Sequence, residues 1–95
     1  MPHDVYILAS RPGGALYVGR TRNLRHRLGH HRAETSDHTA RHAIDRLVWL
    51  EAHDDFESSL RRERAIKRWR RAWKDELIAD ANPGWDAIAH PIPDN

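Results

Sequence analysis

Five side chains of the 95-residue chain have the types that phosphoryl chemistry needs: the phenols Tyr6 and Tyr17, the Arg27 guanidinium, the His31 imidazole and the Glu63 carboxylate. An arginine offers a planar fork of donors to phosphate oxygens. A carboxylate holds a hard divalent cation through oxygen, and a phenol or imidazole can move the proton of an attacking water. Each is ordinary by itself. Paired tyrosines on neighbouring strands are more often packing than catalysis, Arg27 reads equally as a surface residue, and Glu63 can pair with Lys67 one helical turn on. The set becomes a candidate site only if the elements that carry it converge on one face.

Those elements follow from the pattern. Val5-Tyr6-Ile7-Leu8-Ala9 and Ala15-Leu16-Tyr17-Val18-Gly19 flank Ser10-Arg11-Pro12-Gly13-Gly14 and predict a β-hairpin. Pairing Val5 with Val18 and Ile7 with Leu16 gathers the aliphatic residues on one face and turns Tyr6 toward Tyr17 on the other; a one-residue slip would split them. Thr21 and Asn23 are N-cap candidates for a helix over residues 23–33 with Leu24 and Leu28 as its stripe. Arg27 and His31 border that stripe, and Arg25, His26 and His30 point away from it. Residues 34–45 read as a loop, and Arg46-Leu47-Val48-Trp49-Leu50-Glu51 as a third strand buried on both faces. Asp54 or Asp55 caps a helix from Phe56, with Glu57 in capping-box position relative to Asp54. Phe56, Leu60 and Ile66 set its inward stripe, and Glu63 falls in the middle of that stripe. A carboxylate so placed costs several kcal/mol unless a cation, donor or metal meets it, on the order of the penalty for a buried charge. Trp69, Trp73 and Leu77 continue the apolar spacing through a second helix that Asn82-Pro83-Gly84 ends, and residues 89–95 read as a short tail after a domain spanning 1–88.

Composition bounds what such a chain can be. At 11.1 kDa it makes one small domain, 39% hydrophobic and 32% charged, with four Trp, two Tyr and one Phe for a thin core. The absence of Cys removes disulfides, thiolate nucleophiles and Cys-based zinc sites. No apolar run approaches a membrane span, and Met1-Pro2-His3-Asp4 does not open like a signal peptide, so a cytoplasmic location without membrane contact is expected. The net charge of +2 conceals a segregation. All 16 Lys and Arg fall within residues 11–46, where eight face three acids, and 61–74, where eight face Glu63 alone. Two such blocks suggest a surface that meets phosphates, because Lys and Arg gain affinity by displacing condensed counterions; the bland reading is a solvated, arginine-rich helix face.

Val5-Tyr6-Ile7, Tyr17-Val18-Gly19, Arg27 and His31 together resemble the GIY-YIG nuclease signature. Residues 60–72, around Glu63, are similar to the glutamate-bearing helix of the small stand-alone branch of that superfamily, as are Arg46-Leu47-Val48-Trp49 and Asn82-Pro83-Gly84-Trp85. The resemblance covers about residues 4–88. It implies an α+β fold with a three-stranded antiparallel sheet flanked by helices, and an endonuclease that hydrolyses DNA phosphodiesters to 5′-phosphate and 3′-hydroxyl ends with Mg²⁺ or Mn²⁺. Under it Tyr17 is the general base or water-positioning phenol and Tyr6 lends a hydrogen bond beside it. Arg27 grips the scissile phosphate, His31 assists proton movement or phosphate contact, and Glu63 binds the metal. Arg20, Arg22, Arg41, His42 and Lys67 are candidate contacts to nucleic acid, and Asn82 stands where some members have an active-site amide. Arg20 occupies a position where a small residue is frequent, and His42 one where relatives often carry an aromatic. A partner protein that supplies target choice fits so small a unit.

Three readings compete. A non-catalytic module could hold nucleic acid on the same basic face. Alternatively, His26, His30, His38 and His42 could gather around zinc, although the sequence lacks an HExxH motif. Exposed Trp residues could also anchor a protein partner.

Overall fold

The computed structural model describes residues 3–24 and 44–88. Within them three strands, β1 (His3–Ala9), β2 (Leu16–Thr21) and β3 (Arg46–His53), form one antiparallel sheet in the order β2-β1-β3. Two helices follow, α1 (Phe56–Arg68) and α2 (Arg71–Ala81). The expected α+β class, with a three-stranded antiparallel sheet and packed helices, is what the chain adopts. The expected helix over 23–33, apart from its first residues, most of the loop over 34–45 and the tail over 89–95 lie outside the described residues.

The hairpin has the expected faces in a different register. Val5 lies opposite Arg20, Tyr6 opposite Gly19, Ile7 opposite Val18 and Leu8 opposite Tyr17, two residues away from the pairing of Val5 with Val18. The turn explains the shift. The expected pairing would put Arg11 and Pro12 at the centre of a two-residue loop, where the favoured turns need positive φ and proline is fixed near −65°. The chain instead makes a four-residue turn over 11–14, with Gly14 N–H donating to Arg11 O at 2.9 Å and Gly13 at φ 73°. Pro at the second position and a left-handed Gly at the third match a type II turn. Ser10 secures the turn through its hydroxyl, which accepts from Ala15 N–H at 3.0 Å. A shift of two keeps the side-chain parity, so the aliphatic and phenolic faces survive it.

The sheet carries a core on each face. On one, Val5, Ile7, Ala9, Val18, Val48 and Trp49 pack with Ile66 of α1 and Ile78 of α2. On the other, Tyr6, Leu8 and Leu47 pack with Leu24 and Ile44. Burial of β3 on both faces holds for Leu47, Val48 and Trp49, but the strand runs on to His53 and its last third is only partly covered.

Asp55, not Asp54, caps α1, its carboxylate accepting from Ser58 N–H at 2.7 Å; Glu57 is therefore one position short of a capping box. The inward face of α1 is also rotated from the expected stripe. Ser59 and Ile66 are buried, whereas Phe56 is 47% exposed. Ser59 is small enough to let the helix approach the sheet, and its hydroxyl is satisfied by donating to Phe56 O at 2.7 Å. In α2 the buried residue is Ile78, with Trp69 and Leu77 packed beside the core. Trp73, expected in the apolar series, is 48% exposed.

Candidate active site

The two phenols meet on the face of the sheet opposite the helices. Their ring centroids are 6.2 Å apart at 32°. Tyr6 is buried and Tyr17 half-buried, and both pack in the same cluster. Gly19 makes this possible. A Cβ there would lie 2.5 Å from the Tyr6 Cζ and hydroxyl and 2.9 Å from Tyr17 Cε1. The bare backbone of β2 is the floor on which Tyr6 rests, and nothing larger than glycine fits beneath it.

Glu63 lies on the other face. It follows Ser59 by four residues and precedes Ile66 by three, so the two buried positions of α1 turn it toward the sheet. Its side chain is only 14% exposed. Two cations meet it: Lys67 Nζ stands 2.9 Å from Oε2, and Arg20 Nε 3.6 Å from Oε1. The second is an ion pair without a hydrogen bond, since Arg20 Nε is buried and has no hydrogen-bonding partner among the described residues. Arg20 is held in place by packing: its guanidinium lies 4.5 Å from the centroid of Phe56, and the Phe56 ring meets His3 edge-on. The role of Phe56 is thus to support Arg20 at the rim. Helical spacing conceals this role, because Phe56 falls in line with Leu60 on the expected inward stripe.

The alternation of β2 therefore separates what one shared face was expected to gather. Tyr17 and Gly19 point to the phenol face, Val18 and Arg20 to the helix face. The two groups border the same strand, and β2 is an outer strand of the sheet. Arg22 is exposed in the bend after β2, where Thr21 Oγ1 accepts from Asn23 N–H at 3.1 Å. Arg27, His31, Arg41 and His42 lie outside the described residues, as do His26, His30 and His38 of the zinc reading. Among the described residues no three His, Asp or Glu side chains gather as a metal cluster, and no helix is long and apolar enough to cross a membrane.

The second basic block divides by role. Arg62 donates to Glu51 Oε1 at 3.0 Å and lies 5.7 Å from the centroid of Trp49 and 5.3 Å from that of Trp69. The same carboxylate oxygen is 2.7 Å from His53 Nε2. Arg71 donates to Gly14 O of the hairpin turn and pairs with Asp75 at 2.7 Å. These arginines hold the fold. Arg61, Arg64 and Arg68 are exposed on the outer face of α1 and make no ion pair among the described residues. Asn82 is also structural: its amide donates to Val48 O at 3.1 Å and Asp86 O at 2.8 Å, and accepts from Asp86 N–H at 3.1 Å.

Comparison with known proteins bears on the family and the fold. The chain is 37% identical over 79 residues to a UPF0213 protein of Natronomonas pharaonis, across 82% of this chain and 92% of the relative. The solution NMR structure of a UPF0213 protein from Bacillus halodurans superimposes with a TM-score of 0.59 at 27% identity, covering 92% of this chain and 93% of the other. The GIY-YIG catalytic domain matches residues 2–76, from the start of β1 through the glutamate helix and into α2, and on that match the chain belongs to the GIY-YIG family.

Proposed function

We propose that the chain is an endonuclease that hydrolyses phosphodiesters of nucleic acid, DNA foremost, to 5′-phosphate and 3′-hydroxyl ends. The observation that carries the reading is Glu63, an inward carboxylate on α1 set against Arg20 at the outer strand whose opposite face bears Tyr17. In this reading the phosphate lies across the β2 edge, reached by the phenols from one side and by Glu63 and its cations from the other.

A divalent cation, Mg²⁺ or Mn²⁺, fits the donor set. Glu63 supplies hard oxygen donors, and Mg²⁺ commonly takes one or two carboxylates and completes its shell with water and phosphate oxygens. Lys67 already places a cationic group 2.9 Å from Oε2, and at 52% exposure it has room to withdraw. When bound, the metal would offset charge on the leaving 3′ oxygen. The remaining roles belong to the chain. Tyr17 orients the attacking water or takes its proton as its own hydroxyl proton passes on to His31 or Tyr6, the latter held beside it over Gly19. Arg27 grips the scissile phosphate and His31 assists the proton's exit. The Arg20 guanidinium beside Glu63, the exposed Lys67 ammonium and the exposed Arg22 are the cations offered to phosphate oxygens.

The test is cleavage of labelled branched, nicked, duplex and single-stranded substrates with Mg²⁺, Mn²⁺ or EDTA, beside Arg27→Ala and Glu63→Ala. Metal-dependent cleavage by the wild type alone is expected; equal activity in all three proteins would mean a contaminating nuclease. One observation favours a second reading, a binding module without hydrolysis: Glu63 is already balanced by Arg20 and Lys67 without metal. Salt-sensitive binding that survives Glu63→Ala, with no cleavage by the wild type under any condition, would select it.

A further inference from the structure

On the outer side of α2, Trp69, Trp73, Glu76, Leu77 and Asp80 line a surface groove of about 270 Å³. Residues 73, 76, 77 and 80 recur at helical spacing, so one face of α2 presents an aromatic ring, an aliphatic side chain and two carboxylates together. Trp69 and Trp73 meet edge to face with centroids 6.2 Å apart, forming a corner. Trp73 remains 48% exposed, and Glu76 and Asp80 are exposed and make no ion pair among the described residues. Ile78 supplies the buried contact of α2 and Trp69 and Leu77 pack beside it, whereas Trp73, Glu76 and Asp80 are exposed and take no part in that core.

We infer that this groove binds an arginine-bearing segment of a partner protein. Tryptophan faces attract guanidinium groups, and carboxylates take them through paired hydrogen bonds. The chain's own Arg70 guanidinium lies 4.9 Å from the centroid of Trp73 and that of Arg62 5.3 Å from the centroid of Trp69, so an arriving guanidinium takes the ring surface left on the side of Glu76 and Asp80. Tryptophan is also enriched among the residues that dominate protein interfaces. Charge selects between macromolecules. A nucleic acid could stack a base on Trp73, but its phosphates would approach Glu76 and Asp80, whereas a cationic peptide is attracted by both. The groove does not depend on the hydrolytic reading of the site on β2.

Fluorescence anisotropy with a labelled arginine-containing peptide tests the assignment on the full chain, with the same peptide carrying norleucine for arginine and a short oligo-dT strand as the other probes. Saturable binding of the arginine peptide is expected, weakened about tenfold by Trp73→Ala. Glu76→Gln combined with Asp80→Asn should weaken it and flatten its salt dependence, and Glu57→Gln, on another helix, should leave it unchanged. Trp73→Phe should restore part of the loss, which separates lost recognition from lost folding; unchanged circular dichroism and Tm check the same point. The inference is overturned if the arginine peptide fails to bind, if the norleucine peptide binds equally, or if Trp73→Ala weakens oligo-dT in its place. Self-association of the wild type that Trp73→Ala abolishes would assign the groove to a second copy and overturn it as well.

Discussion

At the β3 edge of the sheet, residues 82–88 run beside the strand and bond to it, whereas at the β2 edge the described residues place side chains capable of chemistry. The strap on β3 is extensive. Asn82 donates to Val48 O, Ile88 N–H donates to Leu47 O at 2.8 Å, and Arg46 donates to Trp85 O at 3.3 Å. It also crosses from one core to the other, Trp85 packing on the helix face and Ile88 on the phenol face. Trp85 takes φ 55°, a conformation unfavourable for a bulky residue by about 1–3 kcal/mol, offset by burying its indole. An outer strand is a template for unwanted pairing, and the strap limits that hazard over the first residues of β3. At β2 no such strap is present among the described residues, and the proposed reading uses that edge, because a ligand backbone needs a strand it can approach from both faces. On the proposed reading, one edge of a small sheet is tied down by the strap and the other carries the chemistry.

The largest effects should come from the equipped edge. Glu63→Gln keeps the shape of the side chain and removes its charge, and Tyr17→Phe removes one hydroxyl from the opposite face. If a phosphate spans β2, each should lower cleavage by about 100-fold or more, the scale of losing a group that acts on the transition state. Their consequences for stability should differ. Tyr17→Phe keeps the ring contact with Tyr6, whereas Glu63→Gln leaves the guanidinium of Arg20 without its counter-charge and should lower Tm. Single-turnover rates beside thermal melts would show this. A Tyr17→Phe protein with undiminished cleavage would confine the chemistry to one face and break the comparison.

Gly19→Ala tests the same edge through its packing. The added methyl would overlap the Tyr6 ring and its hydroxyl at 2.5 Å, and the ring is buried with nowhere to retreat. Overpacking of this kind costs about 1–3 kcal/mol, and displacement of both phenols should reduce cleavage as well. Urea unfolding and activity measured on one preparation would report the two losses together. At the closed edge, Asn82→Ala should separate them. It deletes three hydrogen bonds that tie the strap to β3 and to itself, a loss of about 1–3 kcal/mol, and it should leave cleavage by the folded protein unchanged. Loss of activity beyond the loss of folded protein would assign Asn82 to the site.

Sequence patterns disclosed some of this arrangement and concealed the rest for physical reasons. The period of two in Val5-Tyr6-Ile7 and Leu16-Tyr17-Val18 determines faces, so the separation of phenols from aliphatics was legible. Register was not legible from the same period, which is blind to a shift of two; the Pro12-Gly13 turn carries that information. The inward position of Glu63 followed from its spacing to Ile66, and its pairing with Lys67 from the i,i+4 rule. Its contact with Arg20 required knowing that α1 docks near the end of β2, a tertiary fact. The structure separates Glu63 from the phenols because Glu63 docks beside Arg20, and Arg20 and Tyr17 are three residues apart on a strand, where odd spacings point to opposite sides. Hydrophobicity misplaced Phe56 and Trp73 because a large ring can serve by covering or receiving a guanidinium at the surface as well as by filling a core.

The smallest expected effect concerns the cap of the helix that carries Glu63 to β2. Hydrogen bonds from the backbone and side chain of Ser58 hold the Asp55 carboxyl below its ordinary value, with the nearby His53 and Arg61 contributing less. A carboxyl whose value is lower in the folded chain stabilises it above the unfolded value, and the contribution disappears as pH falls through the folded one. Tm should therefore decline on acidification between about pH 5 and pH 2, in the carboxylate range, and Asp55→Asn should flatten that decline slightly while retaining an acceptor for Ser58 N–H. Because Asp55 is exposed, salt and solvent keep the effect small. Cleavage at neutral pH should not change, since the cap fixes the start of α1 and Ser59 and Ile66 fix its docking. If Asp55→Asn instead reduced cleavage as much as Gly19→Ala, then the approach of Glu63 to β2 would depend on the helix start more than on the buried contacts, and the equipped edge would be held from its periphery.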